Sequence, residues 1–200
     1  MSEELPAFGE MNYWDHEYKT GDAPKEWFVP YSTIREFVTK YIKPEMNILV
    51  LGCGTSSLST EMYDEGYKNM ESMDYSPEAI EEMKKARPEM VWKVMDVRNM
   101  PYEDNLFAGI VDKGTLDCLF FLDENNDNIS KMLKEVSRVL KPGGRYTVVT
   151  CGHPMQRTDI LLGDGSYNWK MLDWEEFLPP DEENFTHPSA YVYCLEKKKD

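Results

Sequence analysis

Four short loops hold residue types that could bind one ligand together. They are Gly52-Cys53-Gly54-Thr55, Asp74-Tyr75, Asp96-Val97 and Asp112-Lys113-Gly114-Thr115-Leu116-Asp117, and each lies at or after the end of a predicted strand. Glycine lets a backbone approach a ligand closely, and a carboxylate accepts hydrogen bonds through two oxygens. If the predicted strands are parallel, their carboxyl ends meet at the sheet edge where open α/β sheets bind ligands. The loops therefore predict one shared site.

The loop with Gly52 and Gly54 is a weak signal by itself. A dinucleotide-binding fingerprint has a third glycine three residues after the second, and Ser57 stands at that position. This disfavours a pyrophosphate cradle, and with it a NAD-linked oxidoreductase. A tight turn without a ligand is the alternative interpretation of this loop.

Two aspartates follow the next predicted strands at even spacing. Asp74 comes 22 residues after Gly52, a distance at which an acid can bind both ribose hydroxyls, and Tyr75 could pack against a nucleobase. Asp96 comes 22 residues after Asp74, and its carboxylate together with the Val97 N–H would match an adenine edge. The alternatives are a helix-capping acid at Asp74 and a surface turn acid at Asp96.

The elements that must position these loops alternate along the chain. We predict strands at 47–51, 71–75, 91–97, 107–112 and 145–151, and helices at 32–41, 57–65, 76–87 and 128–140. Continuous apolar runs are typical of buried parallel strands, and apolar residues at helical spacing predict the helices. The alternation predicts an α/β sheet with right-handed crossovers. Residues 191–196 are a candidate final strand of undetermined direction.

At this point the chain resembles a known enzyme family. From about residue 46 to residue 151 it is similar to the seven-stranded, S-adenosylmethionine-dependent methyltransferases, and Leu140-Lys141-Pro142-Gly143-Gly144 is a further typical feature. General members carry an acid at the position of Val50 and a glycine at that of Ser56, so the chain departs from the common pattern there.

The departures match one subfamily. The V-L-G-C-G-x-S stretch and the D-K-G-T-L-D loop resemble the small eukaryotic methyltransferase-like proteins that methylate lysines of translation elongation factor one-alpha. Tyr13-Trp14-Asp15-x-x-Tyr18 and Trp27-Phe28 resemble segments of their N-terminal arm, and Pro154 and Arg157 match as well. The D-K-G-T-L-D loop is the most specific part.

The resemblance implies a fold and a cofactor. The fold is an α/β, Rossmann-like, doubly wound and mostly parallel sheet of about seven strands, with an antiparallel C-terminal strand and helices on both faces. We expect one methyltransferase domain over 1–200, made of an aromatic N-terminal arm and helix (1–45), a cofactor-binding core (46–151) and a substrate-side part (152–200). The cofactor is S-adenosyl-L-methionine. Residues that match Trp14, Tyr18, Trp27, Gly52, Asp74, Tyr75, Asp96, Val97 and Lys113 contact it in the subfamily, and the glycine loop adds Gly54.

The implied reaction is methyl transfer to a lysine amine of a protein. Asp112 and Asp117 are the candidate catalytic acids, with Asp112 orienting the amine. A strand-end acid held by a backbone N–H is the alternative for Asp112. We expect Asp112→Asn to lower turnover and to leave cofactor affinity nearly intact. His153 and Arg157 could line a substrate groove, although a surface role is the default for His153.

Two other classes of function are compatible with the same cofactor-binding core. They are a small-molecule methyltransferase and a catalytically silent cofactor-binding module. The tail does not decide between them, because Trp169, Trp174 and the run Asp181-Glu182-Glu183 reproduce no specificity motif. Core packing is the alternative to a cofactor contact for Trp14 and Trp27.

The amino-acid composition limits the classes of molecule that the protein could bind. The 37 acidic and 22 basic residues give a net charge of −15, which disfavours nucleic acid and anionic membranes and permits a basic protein substrate. The four cysteines have no pair at metal-binding or framework spacing, so we expect no metal site and no disulfide. With no signal segment at the N-terminus, we expect a cytoplasmic protein. The oligomeric state stays open.

Overall fold

The computed structural model describes residues 8–122, 127–180 and 189–199. A seven-stranded sheet runs through them in the order β3-β2-β1-β4-β5-β7-β6. The strands are β1 (Ile48–Leu51), β2 (Met70–Asp74), β3 (Val91–Val94), β4 (Phe107–Lys113), β5 (Leu140–Thr150), β6 (Trp169–Phe177) and β7 (Ala190–Lys197). β1 to β5 are parallel, and β7 runs antiparallel to both β5 and β6. The predicted fold class is confirmed.

Helices cover both faces of the sheet. They are α1 (Met11–Thr20), α2 (Tyr31–Tyr41), α3 (Leu58–Asp64), α4 (Pro77–Ala86), α5 (Thr115–Leu119), α6 (Asp127–Val139) and α7 (Pro154–Leu162). Ile48 and Val50 belong to one apolar cluster and Leu49 and Leu51 to another. Successive strand side chains point to opposite faces, so β1 divides two cores. No helix of the described residues is long and apolar enough to cross a bilayer.

Two element boundaries differ from the sequence prediction by three residues or more. β3 ends at Val94, so Asp96 and Val97 lie in the turn that follows it. β5 begins at Leu140, because Leu140 pairs with Phe107 before the register shifts and the ladder resumes at Arg145. The Lys-Pro-Gly-Gly segment follows the end of α6 and lies inside this irregular strand.

Four elements carry too little periodicity for the sequence to reveal them. α1 buries Trp14 alone, α5 has five residues, and α7 buries only Leu161. β6 is an edge strand with only Trp169 buried. The acidic run at 181–183 lies outside the described residues.

Candidate active site

A cavity opens at the carboxyl ends of β1, β2 and β4. It encloses about 950 Å³ of empty space, part of it open to solvent. The structure brings all ten residues that the sequence nominated for the cofactor into its lining: Trp14, Tyr18, Trp27, Gly52, Gly54, Asp74, Tyr75, Asp96, Val97 and Lys113. The two nominated acids, Asp112 and Asp117, do not line it. The cavity therefore groups the nominated cofactor residues and leaves the two acids behind its wall.

The two loop glycines make room for protein side chains. Gly52 and Gly54 have φ of +49° and +48°, in the left-handed region that glycine adopts without strain. A Cβ on Gly52 would lie 2.0 Å from the Thr115 hydroxyl, and a Cβ on Gly54 would lie 2.5 Å from the Tyr18 hydroxyl. The glycines thus let α5 and the N-terminal arm close against β1.

Asp74 joins two loops beneath the cavity. Its carboxylate accepts hydrogen bonds from the backbone N–H groups of Gly54 and Ser76, both at 2.9 Å. Burial raises the pKa of Asp74 to about 6, against the lowering effect of those backbone donors. Each oxygen keeps a lone pair for a further donor, as two ribose hydroxyls would supply. The cap of α4 is Ser76, since its hydroxyl accepts from the Ala79 N–H.

Asp96 has a partner that the sequence prediction did not name. Its carboxylate binds the Arg98 side chain at 2.7 to 3.1 Å and the Arg98 backbone N–H at 2.8 Å. Partial burial would raise the pKa of Asp96, but the hydrogen bonds from Arg98 outweigh burial and lower it. Arg98 also lines the cavity, so the turn presents an ionised carboxylate in fixed orientation.

The N-terminal arm, residues 8–29, supplies an aromatic wall. The ring of Trp14 lies 5.8 Å from Tyr18 and 5.5 Å from Trp27, centroid to centroid, and its Nε1 donates to the Phe8 carbonyl at 2.6 Å. Aromatic faces attract cations, and a sulfonium is one. Packing and ligand contact are compatible here, because the rings contact each other and also line the cavity.

Lys113 is held from the arm side. Its side chain is 5% exposed and forms an ion pair with Glu26. Its Nζ also lies 3.5 Å from the carbonyl oxygens of Trp27 and Val29. Burial lowers the pKa of Lys113, while the negative charge and the hydrogen bond of Glu26 oppose that shift. Glu26 could not be nominated from the sequence, where the one sign of its role is its position directly before the Trp-Phe pair.

Asp112 lies behind the cavity wall. Its fully buried carboxylate accepts from the Thr115 N–H at 3.0 Å and the Tyr146 hydroxyl at 2.9 Å. Burial raises the pKa of Asp112 to about 7. Both oxygens have protein partners in this arrangement, and the expected role of Asp112 toward an acceptor amine stays a prediction. The alternative, a strand-end acid held by a backbone N–H, matches what the structure places there.

Asp117 connects α5 to the end of β5. One oxygen accepts from Thr150 Oγ1 at 2.7 Å, Cys151 Sγ at 3.2 Å and Arg157 Nη2 at 2.9 Å. The other oxygen is buried and has no hydrogen-bond partner within the described part of the chain. Arg157 is therefore engaged with Asp117, and its expected place in a substrate groove stays a prediction. His153 is exposed and caps α7, in line with its default surface role.

The lining fits an adenosine that carries a cationic sulfur. Asp74 and Asp96 offer carboxylates on neighbouring strand ends, where hydroxyl and amino donors could bind. The aromatic wall offers π faces for a positive charge. The apolar side chains of Met73, Val97 and Leu119, which also line the cavity, suit a flat base.

Comparisons with known proteins agree with this geometry. A family model described as a methyltransferase domain matches residues 42–182. A mouse protein named EEF1A lysine methyltransferase 4 is 34% identical over 185 residues, which are 84% of this chain and 72% of that protein. A human protein named eEF1A lysine and N-terminal methyltransferase is 37% identical over 150 residues, 72% of this chain and 22% of that protein. A fly homologue is 39% identical with the same coverage, so the chain spans about a fifth of these two longer relatives.

Solved structures share the fold at low identity. A protein described as an S-adenosylmethionine-dependent methyltransferase from Methanosarcina mazei has a TM-score of 0.70 at 17% identity, over 82% of this chain and 98% of its own. A geranyl diphosphate C-methyltransferase from Streptomyces coelicolor, solved with S-adenosyl-L-homocysteine, has a TM-score of 0.71 at 12% identity, over 98% and 99%. Together with the family model and the relatives, these findings show that the chain belongs to the S-adenosylmethionine-dependent methyltransferases.

Proposed function

We propose that this chain transfers a methyl group from S-adenosyl-L-methionine to a lysine amine of a protein, with translation elongation factor one-alpha as the first candidate. One observation carries the proposal: the nine residues nominated through the subfamily resemblance line a single cavity together with Gly54 of the glycine loop. The names of the mouse, human and fly relatives support the acceptor class. Such an acceptor would place the reaction in the cytoplasm.

The residues of the cavity have separate roles in this proposal. Asp74 would accept the ribose hydroxyls, while Asp96 and the Val97 N–H would bind the adenine edge. Trp14, Tyr18 and Trp27 would surround the sulfonium and exclude water. When bound, the cofactor supplies an activated methyl group, so the protein contributes mainly orientation and electrostatics.

The two buried acids act on the acceptor side by positioning. A lysine amine has a reference pKa of about 10.4 and must be neutral to attack, and exclusion of water around it would lower that pKa. Asp112 fixes the start of α5 through the Thr115 N–H. Asp117 ties the same helix to Thr150 and Arg157. We assign both carboxylates to holding α5, whose Thr115 and Cys118 line the cavity.

A labelling experiment tests the function. The pure protein is incubated with radiolabelled S-adenosyl-L-methionine and a cytosolic extract, and labelled proteins are identified by mass spectrometry. We expect label on a lysine of the elongation factor, loss of label with Asp74→Ala, and unchanged label with Glu82→Gln, an exposed acid on α4. Label confined to small molecules would overturn the protein-acceptor proposal. Cofactor binding without any labelled product would favour the silent module.

A further inference from the structure

We propose that Glu26 and Lys113 form a latch that fastens the N-terminal arm over the cavity, and that Glu26 is a positioning residue for cofactor binding. The latch is defined as the Glu26 carboxylate and the Lys113 ammonium. The proposal rests on the proposed function for the identity of the cofactor. Glu26 does not line the cavity, so it acts through the arm.

Glu26 binds the sheet edge from several directions. One carboxylate oxygen accepts from the Ser57 N–H at 2.7 Å and the Ser56 hydroxyl at 3.0 Å, and it lies 2.9 Å from the Ser57 hydroxyl, which Glu26 shares with Glu61. The other oxygen forms the ion pair with Lys113. These partners belong to the loop after β1 and to the end of β4, so one arm side chain bridges two neighbouring strands of the sheet.

Lys113 completes the latch from the sheet side. Its ammonium contacts Glu26 and the carbonyl oxygens of Trp27 and Val29. Charge-assisted hydrogen bonds are the stronger ones, and a buried ammonium needs such acceptors. Lys113 therefore has its donors directed at the arm, although the family resemblance implied only a cofactor contact.

The backbone of the arm is strained where the latch holds it. Phe28 has φ of +61° and is 1% exposed, and a bulky residue in the left-handed region is an outlier. Such strain persists only where surrounding contacts enforce it. The Val29 N–H donates to the Trp27 carbonyl at 2.7 Å, so the latch residues enclose a tight turn at Phe28.

The latch also sets the position of the aromatic wall. Trp27 lies between Glu26 and Phe28 in the chain and lines the cavity, and Trp14 packs against it. Loss of the latch would free Trp27 from the sheet edge and open the wall. Cofactor affinity should then fall, with little change in the rate once the cofactor is saturating.

Binding of S-adenosyl-L-homocysteine by calorimetry tests the latch. We expect Glu26→Gln and Lys113→Met each to weaken binding about tenfold, and the double variant to be no weaker than the poorer single variant. Asp22→Asn is the matched control, because Asp22 is an exposed acid of the same arm, and it should bind like the parent. Fully additive losses, or parent-like binding by Glu26→Gln, would overturn the proposal.

A ligand-free readout separates the latch from the proposed function. Trypsin cleavage after the exposed Lys19, which is remote in sequence from Glu26, should be faster in Glu26→Gln than in the parent and Asp22→Asn, even if no methyl acceptor is found. Equal cleavage would contradict the latch. With a measurable acceptor, the KM for the cofactor should rise and kcat should change little. If Glu26→Gln fails to fold, Ser57→Ala serves as the second variant, because it removes a hydroxyl beside Glu26 and keeps the ion pair. This variant should be cleaved faster and should bind S-adenosyl-L-homocysteine two- to threefold more weakly (about 0.5 kcal/mol). A parent-like result for Ser57→Ala would then overturn the proposal.

Discussion

Gly52 and Gly54 have a second role beside any approach to a ligand. Their missing Cβ atoms leave the space that the hydroxyls of Thr115 and Tyr18 fill. The Gly52–Gly54 loop and the D-K-G-T-L-D loop are therefore in direct contact. The Thr115 hydroxyl packs where a Cβ of residue 52 would lie and donates to the Leu51 carbonyl at 3.2 Å. The contact thus joins the two segments on which the subfamily resemblance rests.

Gly52→Ala should abolish measurable cofactor binding. Its Cβ would lie 2.0 Å from the Thr115 hydroxyl, so α5 must shift away from the cavity. Gly21→Ala is the control, because Gly21 also has positive φ but meets nothing within 4 Å, and it should lose only about 1 kcal/mol of unfolding free energy. Calorimetry and thermal unfolding measure both effects, and parent-like affinity in Gly52→Ala would contradict the steric argument.

Cofactor affinity should fall in acid because of Asp74. With a pKa of about 6, the carboxylate is ionised above that pH and gains a proton as the pH falls through it. The protonated acid loses an acceptor for the ribose hydroxyls, so the dissociation constant should rise about tenfold from pH 7.5 to pH 5. Asp74→Asn should bind weakly with a flat pH profile. A flat profile in the parent protein would refute this role.

Asp112 can be assigned by comparing two substitutions. Asp112→Ala leaves the Thr115 N–H and the Tyr146 hydroxyl without an acceptor, which should lower the unfolding free energy by about 1–3 kcal/mol and lower turnover. Asp112→Asn keeps an acceptor for Thr115 and should retain more of both. Equal loss of turnover in the two variants, with cofactor affinity intact, would instead support the original expectation of a direct contact with the amine.

At the level of elements, the Arg157 side chain connects α7 to α5. It pairs with Asp117, donates to the Thr150 hydroxyl at 3.1 Å and stacks 3.9 Å from the Phe120 ring centroid. A Cβ at position 152 would lie 2.2 Å from its Nε, so Gly152 gives the side chain its path. The helix α5, whose Thr115 and Cys118 line the cavity, is thereby fixed to the end of β5.

Arg157→Met should lower the unfolding free energy by about 3 kcal/mol, because it leaves a buried carboxylate without its ion-pair partner. Both side chains are largely buried, at 12% and 6% exposure. Arg35→Met is the control, since Arg35 pairs with Glu65 at the surface and such pairs contribute little. The double variant Asp117→Asn/Arg157→Met should lose less than the sum of its parts in chemical denaturation. An additive loss would mean that the pair is not coupled.

The elements of the core could be predicted because burial on both faces leaves a pattern. β1 is a continuous apolar run (Ile48–Leu51), and α6 has a full apolar stripe. α5 and β6 could not be predicted, since one is a single turn fixed by Asp112 and the other depends on β7 for pairing. The ten cavity residues could be nominated from loop order and resemblance, whereas Glu26 and Arg98 could not, because their roles appear only through contacts.

For the whole molecule, the net charge of −15 predicts salt-sensitive activity on a basic protein acceptor. Salt shortens the Debye length, which is about 10 Å at 0.1 M, so long-range attraction weakens as salt rises. Methyl transfer to the elongation factor should slow between about 0.05 and 0.5 M NaCl, chiefly through KM. Transfer to a short peptide of low charge is the control and should change less. If transfer to the protein does not depend on salt, the net charge contributes to solubility and not to recognition of the acceptor.

The register shift in β6 affects whether the edge strands of two copies of the chain can pair with each other. Met171 and Asp173 pair with the consecutive residues Leu195 and Cys194, so Leu172 is an extra residue that kinks the edge strand. An irregular edge is a poor template for another strand. At the opposite edge β3 has only four residues, which gives a second strand little to extend. We therefore expect neither edge of the sheet to pair readily with a strand of another copy, which disfavours assembly into fibrils.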